Sequence, residues 1–208
     1  MPLAAVTEEA IQRFQTDGAV CLRGVFAREW VQKVAAGIEK NLARSSQYSE
    51  RLQAPGGTGY FFNDYFNWRE IEEFKDYVYN SPAAEIAGTL MQSPVAIFYH
   101  EHVLTKDPHT LKATPWHHDQ AYYPVDGFKN CSIWMPIDSV PAETTLKFVK
   151  GSHRWGRWFH PKKFKSEKNY PVNDDAGTRL AETRVYENVP DIDGSDEYEI
   201  LQWPIEVM

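Results

Sequence analysis

The apolar periodicity of the chain changes once, near Ser93, and that change limits the folds open to it. Upstream, Ile11 and Phe14 share one helical face, and Trp30, Val34, Ile38 and Leu42 recur every fourth residue, the stripe of a helix laid on a core. Thr7 followed by Glu8 and Glu9 supplies a start signal for the first helix, and Gly18 a stop. Two more helices are predicted around 71–79 and 82–91, the second with Pro82 at its first position. Ala19 to Val25 reads as a short strand, and residues 44–64, rich in Ser, Gln and Gly, as a loop. Downstream of Ser93, "PVAIFYHEHVLTK", "CSIWMPIDSV" and "TTLKFVKGSHRWG" are dense in β-branched and aromatic residues bounded by Pro, Asp and Gly, which predicts strands. Residues 162–195 are polar and predict a surface excursion, after which "YEILQWPIEV" returns to strand character.

With 208 residues, 42% of them hydrophobic, the chain can bury one sizeable core, and a single domain over 1–208 is expected. The formal charge of -7, without a basic stripe, argues against a nucleic-acid partner. Cys21 and Cys131 stand far apart and form neither a disulfide framework nor a zinc pattern, which points to a reducing compartment. The N-terminus turns acidic too early for a secretory signal, and no apolar run approaches membrane-spanning length. A soluble cytoplasmic protein is expected, with organelle residence left open.

All seven histidines lie between His100 and His160, and two of them stand in "TPWHHDQAYYP", residues 114–124. On an extended strand, residues two apart share a face, so His117 and Asp119 point together and His118 points away. An imidazole and a carboxylate on one face are two parts of a two-histidine, one-carboxylate set, whose nitrogen and oxygen donors suit iron or manganese better than a thiolate-type zinc site.

"KDPHTLKATPWHHDQAYYPVDG", "CSIWMPID" and "TLKFVKGSHRWG" stand in an order and spacing that resemble the phytanoyl-CoA dioxygenase family of Fe(II)/2-oxoglutarate oxygenases, most specifically between Phe98 and Trp158. The resemblance implies a mainly β fold, a double-stranded β-helix or jelly roll over 94–208, with the helical flank over 1–93. It implies Fe(II), 2-oxoglutarate as cosubstrate, O2 and a small-molecule substrate. Carried over by position, His117 and Asp119 become metal ligands, and Thr114, Trp134 and Lys106 line the cosubstrate site. Tyr122 and Tyr123 stand where the substrate is expected. Two departures are visible: His118 replaces a common glutamine, and "PAETTLKF" replaces an Asn-Gly turn.

The family's late-strand histidine and the arginine beyond it have no counterpart before Met208, where a Pro-Gly-Asp turn would introduce them. The expectation is an incomplete site on a jelly roll lacking its last strands, in a chain that is the N-terminal part of a longer enzyme and is inactive alone. Two rivals stand beside the oxygenase: a non-catalytic jelly-roll binding or regulatory protein of the same descent, and a cupin-like metal hydrolase built on His117, Asp119 and His153.

Overall fold

The computed structural model describes residues 6–111, 113–166, 168–170 and 185–207. Helix α1 (Glu8–Asp17) begins where the Thr7 hydroxyl accepts the Ala10 N–H at 3.2 Å, and it ends at Gly18, whose φ of 86° lets its N–H reach the Phe14 carbonyl. Its apolar face, Ile11 and Phe14, packs with Val20, Leu22 and Phe26 against Val6, Val25, Ile86 and Leu90. Residues 19–25 are not a strand: Val20 and Leu22 alternate as in one, but the segment pairs with no neighbour and packs as extended chain.

Helix α2 (Arg28–Ala43) lays Val34, Ile38 and Leu42 on a second cluster made by Phe62, Ile71, Phe74 and Val103. Gly37 permits this approach, since a Cβ there would stand 2.5 Å from the Phe74 ring. Helices α3 (Glu72–Asn80) and α4 (Ala83–Leu90) follow within a residue or so of their predicted ends. Lys33 with Asp76 and Lys40 with Glu73 form ion pairs between α2 and α3.

The 44–64 stretch, expected as a loop, holds two strands. β1 (Glu50–Leu52) and β2 (Phe61–Tyr65) pair antiparallel, and β3 (His102–Lys106) pairs antiparallel on the other side of β2. The register sets Tyr65 opposite His102, Asn63 opposite Leu104 and Phe61 opposite Lys106. Phe61 to Asp64 are buried on both faces, so the strand lacks the alternation that would have marked it in the sequence. Of "PVAIFYHEHVLTK", only the second half is a strand. "CSIWMPIDSV" contains none, although Val140 bridges Ile205. β4 (Lys147–Val149) pairs antiparallel with β7 (Ile200–Gln202), and β5 (Trp158–Phe159) pairs parallel with β6 (Tyr186–Glu187). Of the predicted polar excursion over 162–195, residues 167 and 171–184 lie outside the described residues. Among the described residues no helix is long and apolar enough to cross a membrane.

Helices and sheet are joined at Asp64, a side chain with no accessible surface. One carboxylate oxygen accepts the Asn41 amide at 2.9 Å and the Ser46 N–H at 2.8 Å, and the other accepts the Ser46 hydroxyl and the Tyr65 N–H. Burial works to raise its pKa, but the Ser46 and Asn41 hydrogen bonds outweigh it and hold the group below its ordinary 3.8. Asp64 therefore contributes stability above pH 3.8 that is lost as pH falls through its lowered folded value. Asp64→Ala strands the Asn41 and Ser46 donors and is expected to cost roughly 2–4 kcal/mol in urea unfolding. A loss under about 0.5 kcal/mol, the range of an ordinary surface change, would contradict this role.

Candidate metal centre

Residues 114–118 form neither helix nor strand, His118 is extended, and Asp119 opens a 3-10 turn (Asp119–Tyr122). The sidedness expected from strand alternation thus arises differently, from an extended His118 (φ -112°, ψ 108°) followed at once by a turn. His117 Nδ1 lies 2.8 Å from the Pro115 carbonyl, which can only accept, so Nδ1 carries a proton and Nε2 is the nitrogen left to act. Nε2 faces Asp119 Oδ1 at 2.9 Å, and the Ser132 hydroxyl donates to Oδ2 at 3.1 Å. His118 turns the other way, its ring 5.3 Å from that of Trp158 and 6.2 Å from that of Phe159. Trp116 Nε1 donates to Asp193 at 2.9 Å and ties the stretch to the end of the chain.

The electrostatics follow from this geometry. Burial disfavours a charged His117, but the hydrogen bond and charge of Asp119, with the Pro115 carbonyl, prevail and raise its pKa. Burial would likewise raise Asp119, and the bond and charge of His117 together with the Ser132 hydroxyl pull it below 3.8. The Asp119 carboxylate remains 54% exposed, so the pair opens onto solvent.

Sequence reasoning missed the opposite wall. His100 and His102 stand two apart at the entry to β3, on the face that also carries Lys106, while Val103, next after His102, is buried in the core. Both imidazoles feel the charge of Asp119. Crowding by protein lowers His100 and pushes His102 down to about 4, so both are neutral near pH 7. The H-x-H spacing was visible in the sequence and carries the same parity argument as His117 and Asp119.

The remaining predicted residues are distributed as follows. Lys106 sits at the far end of β3, its ammonium 4.9 Å from the Phe61 ring centroid, with burial lowering its pKa. Thr114 is exposed, and Trp134 is 39% exposed. Tyr123 meets the His100 ring at 5.2 Å. The Tyr122 ring stands 5.8 Å from His117, and its hydroxyl accepts the Lys162 N–H at 2.8 Å while donating to the Lys162 carbonyl at 2.9 Å. Burial pushes both tyrosines up to about 12, which keeps them phenols. His153 is remote from the pair: Nε2 lies 3.1 Å from the Gln15 carbonyl, and the ring rests against Gly18. His160 stacks on Tyr186 at 5.7 Å. This removes the geometric basis for a hydrolase centre using His153.

The donor chemistry of His117 Nε2 and Asp119 fits a metal such as iron, with the second ring nitrogen anchored to a carbonyl as metal-binding imidazoles require. Among the described residues, no group of three His, Cys, Asp or Glu side chains is placed to hold a metal ion.

The family model described as Phytanoyl-CoA dioxygenase (PhyH) matches residues 14–205. Among solved structures, the crystal structure of the epimerase SnoN in complex with Fe3+, alpha-ketoglutarate and nogalamycin RO is similar with a TM-score of 0.64 at 21% identity, covering 99% of this chain and 72% of that one. No curated protein matches the chain.

Without metal, the raised His117 value means that the pair contributes fully below the ordinary 6.5 and loses its contribution as pH rises through the folded value. The lowered Asp119 value means that the contribution is present above the ordinary 3.8 and is lost as pH falls through the folded one. NMR titration of the His117 ring is expected to give a midpoint above 6.5, and Asp119→Asn to lower it, because the Pro115 hydrogen bond alone then opposes burial. A midpoint unmoved by Asp119→Asn would show that the pair does not form.

Proposed function

Because the chain belongs to the phytanoyl-CoA dioxygenase family, we propose that it is a non-haem Fe(II)/2-oxoglutarate-dependent oxygenase of hydroxylase type, built on a jelly-roll scaffold and acting on a small molecule. The observation that carries this reading is the His117 ring: Nδ1 is committed to the Pro115 carbonyl, so Nε2 and the Asp119 carboxylate converge as the two donors for iron. The fold shared with a protein that binds Fe3+ and alpha-ketoglutarate supports the same cofactors here. When bound, iron with 2-oxoglutarate and O2 supplies the oxidising power to act on a substrate C–H bond.

The chain's own residues position and shield. Ser132 holds one oxygen of Asp119 and directs the other towards His117. Lys106 offers a cation on the face of β3 that carries His102 for a cosubstrate carboxylate, with Thr114 and Trp134 as further cosubstrate-lining residues. Tyr123 faces the substrate space beside His100, and Tyr122 fixes the turn by gripping Lys162. Protonation of His117, favoured by Asp119, would compete with a metal for Nε2, so metal affinity would rise with pH. A cytoplasmic setting accords with these parts.

A second reading, a non-catalytic binding or regulatory protein of the family, draws on the same pair, because the described residues offer two donors and a stable iron site takes three. Anaerobic Fe(II) titration coupled to a succinate assay separates the two. The expected outcome for the 208-residue chain is weak Fe(II) binding that strengthens from pH 6 to 8 and is abolished by His117→Ala or Asp119→Ala, with little succinate. Binding that survives both substitutions would remove the assignment, and full turnover would mean that a third donor joins from outside the described residues.

A further inference from the structure

Next to the His117 and Asp119 pair, aromatic rings form a continuous wall. Tyr48 stacks on Tyr65 (5.4 Å, 19°), and Tyr65 meets Phe66 edge-on at 5.3 Å. Phe66 contacts His100 at 5.1 Å and Tyr99 at 6.3 Å, and both of these reach Tyr123, at 5.2 and 5.6 Å. Despite so many ring contacts, Tyr48, Phe66 and Tyr99 each remain 46% exposed. A connected set of rings left open in this way is surface kept for a ligand.

The backbone holds the wall in place at a cost. Phe66 has a φ of 66°, in the left-handed region that a bulky residue rarely adopts. The turn after it is fixed from both sides: the Asn67 and Trp68 N–H groups donate to the two oxygens of Glu101, and the Asn67 amide donates to the Tyr65 carbonyl at 3.2 Å. Strain maintained by such over-determination is characteristic of ligand clamps.

Charge narrows the ligand class. Among the described residues, the arginine and lysine contacts to aromatic rings fall on Trp30, Phe61, Phe62, Trp68, Trp155, Phe159 and Tyr170, none of them in the wall. Glu50 and Asp64 both act on Tyr65, and among the described residues their hydrogen-bond partners are uncharged: Asn63 for Glu50; Asn41, Ser46 and the Tyr65 N–H for Asp64. His100 is neutral near pH 7. Among the described residues, the cation of β3, Lys106, lies four residues from His102, roughly 13 Å away at about 3.3 Å per residue, and Lys163 is taken up by the Tyr170 ring at 5.1 Å. Electron-rich ring faces backed by carboxylates attract a cation and repel an anion.

We propose that this wall binds the positively charged nitrogen of an organic cation with an apolar body, and so presents that molecule to the His117 and Asp119 pair as substrate. The word substrate rests on the oxygenase reading above; the binding itself does not. The two ends of β3 then divide the recognition, with Lys106 placed for a carboxylate and the tyrosine wall for an ammonium group.

The test is ligand titration of the metal-free 208-residue protein, followed by NMR, with benzyltrimethylammonium, its uncharged isostere neopentylbenzene, and phenylacetate. The cation is expected to bind about tenfold or more tighter than the isostere, the difference that desolvated cation–π contacts supply, and phenylacetate not to bind. Phe66→Asn removes a ring at a position whose backbone asparagine tolerates, and Tyr99→Leu removes another without touching that turn. Each, once its thermal melt shows a folded protein, is expected to weaken binding of the cation several-fold. Equal affinity for neopentylbenzene, binding of phenylacetate, or cation binding unchanged in both variants would overturn the inference. Fe(II) titration of the same samples keeps the two readings apart: iron bound without cation selectivity defeats this inference alone, and loss of iron binding defeats the oxygenase reading.

Discussion

A carboxylate with no accessible surface and only neutral donors around it cannot slide, and Asp64 is such a group. A one-residue shift of β2 would place Asp64 on the opposite face and strand a charge, along with the Asn41 and Ser46 donors, at a cost no apolar contact at this interface could offset. The register of β2 is therefore fixed relative to α2. Because Tyr65 pairs with His102, the same constraint fixes which side chains of β3 stand on the face that carries Tyr65. Gly37 completes the arrangement by letting α2 lie directly on the Phe74 ring. The helical flank acts as the mould that sets the sheet.

The site that this frame supports is assembled from separated pieces of chain. β3 provides one wall, the 114–123 stretch the other, and Ser132, Lys162 and Asp193 reach in from three later segments to hold the second wall where the first can meet it. The bonds that brace the second wall are polar and partly solvated, ring contacts from Tyr99 and His100 to Tyr123 join the two walls, and the two apolar clusters lie towards the helices. Large apolar side chains accumulate on the outside beyond Ser93, among them Ile97 at 89% and Phe128 at 92% exposure, so the strand-rich part leaves apolar surface uncovered.

The helices were legible because their apolar stripes are strong and their ends carry caps: α1 starts on Thr7 and stops at Gly18 as the sequence predicts. β2 was not, because four consecutive buried residues erase the period-two signal, and the preceding Gly-rich turn biases the whole stretch towards a loop. Val20 and Leu22 misled in the opposite sense, showing alternation without a partner to pair with. In the site, "TPWHHDQAYYP" drew attention to the right stretch, yet the reason His117 and Asp119 meet is a 3-10 turn that no alternation rule contains. His100 and His102 escaped notice because their significance depends on β3 lying opposite that turn, a long-range fact that single-residue patterns do not encode.

The grip of Tyr122 on Lys162 has a kinetic side. One phenol oxygen takes the Lys162 amide proton and gives its own proton to the carbonyl of the same residue, forming a closed two-way clasp forty positions apart in sequence. That amide can exchange with solvent deuterium only when the clasp opens, so its exchange rate measures how often the Asp119–Tyr122 turn lets go of the chain beyond it. If the turn breathes as a unit with the 162 segment, a ligand held beside His117 and Asp119 will slow exchange at a peptide group that itself touches no ligand.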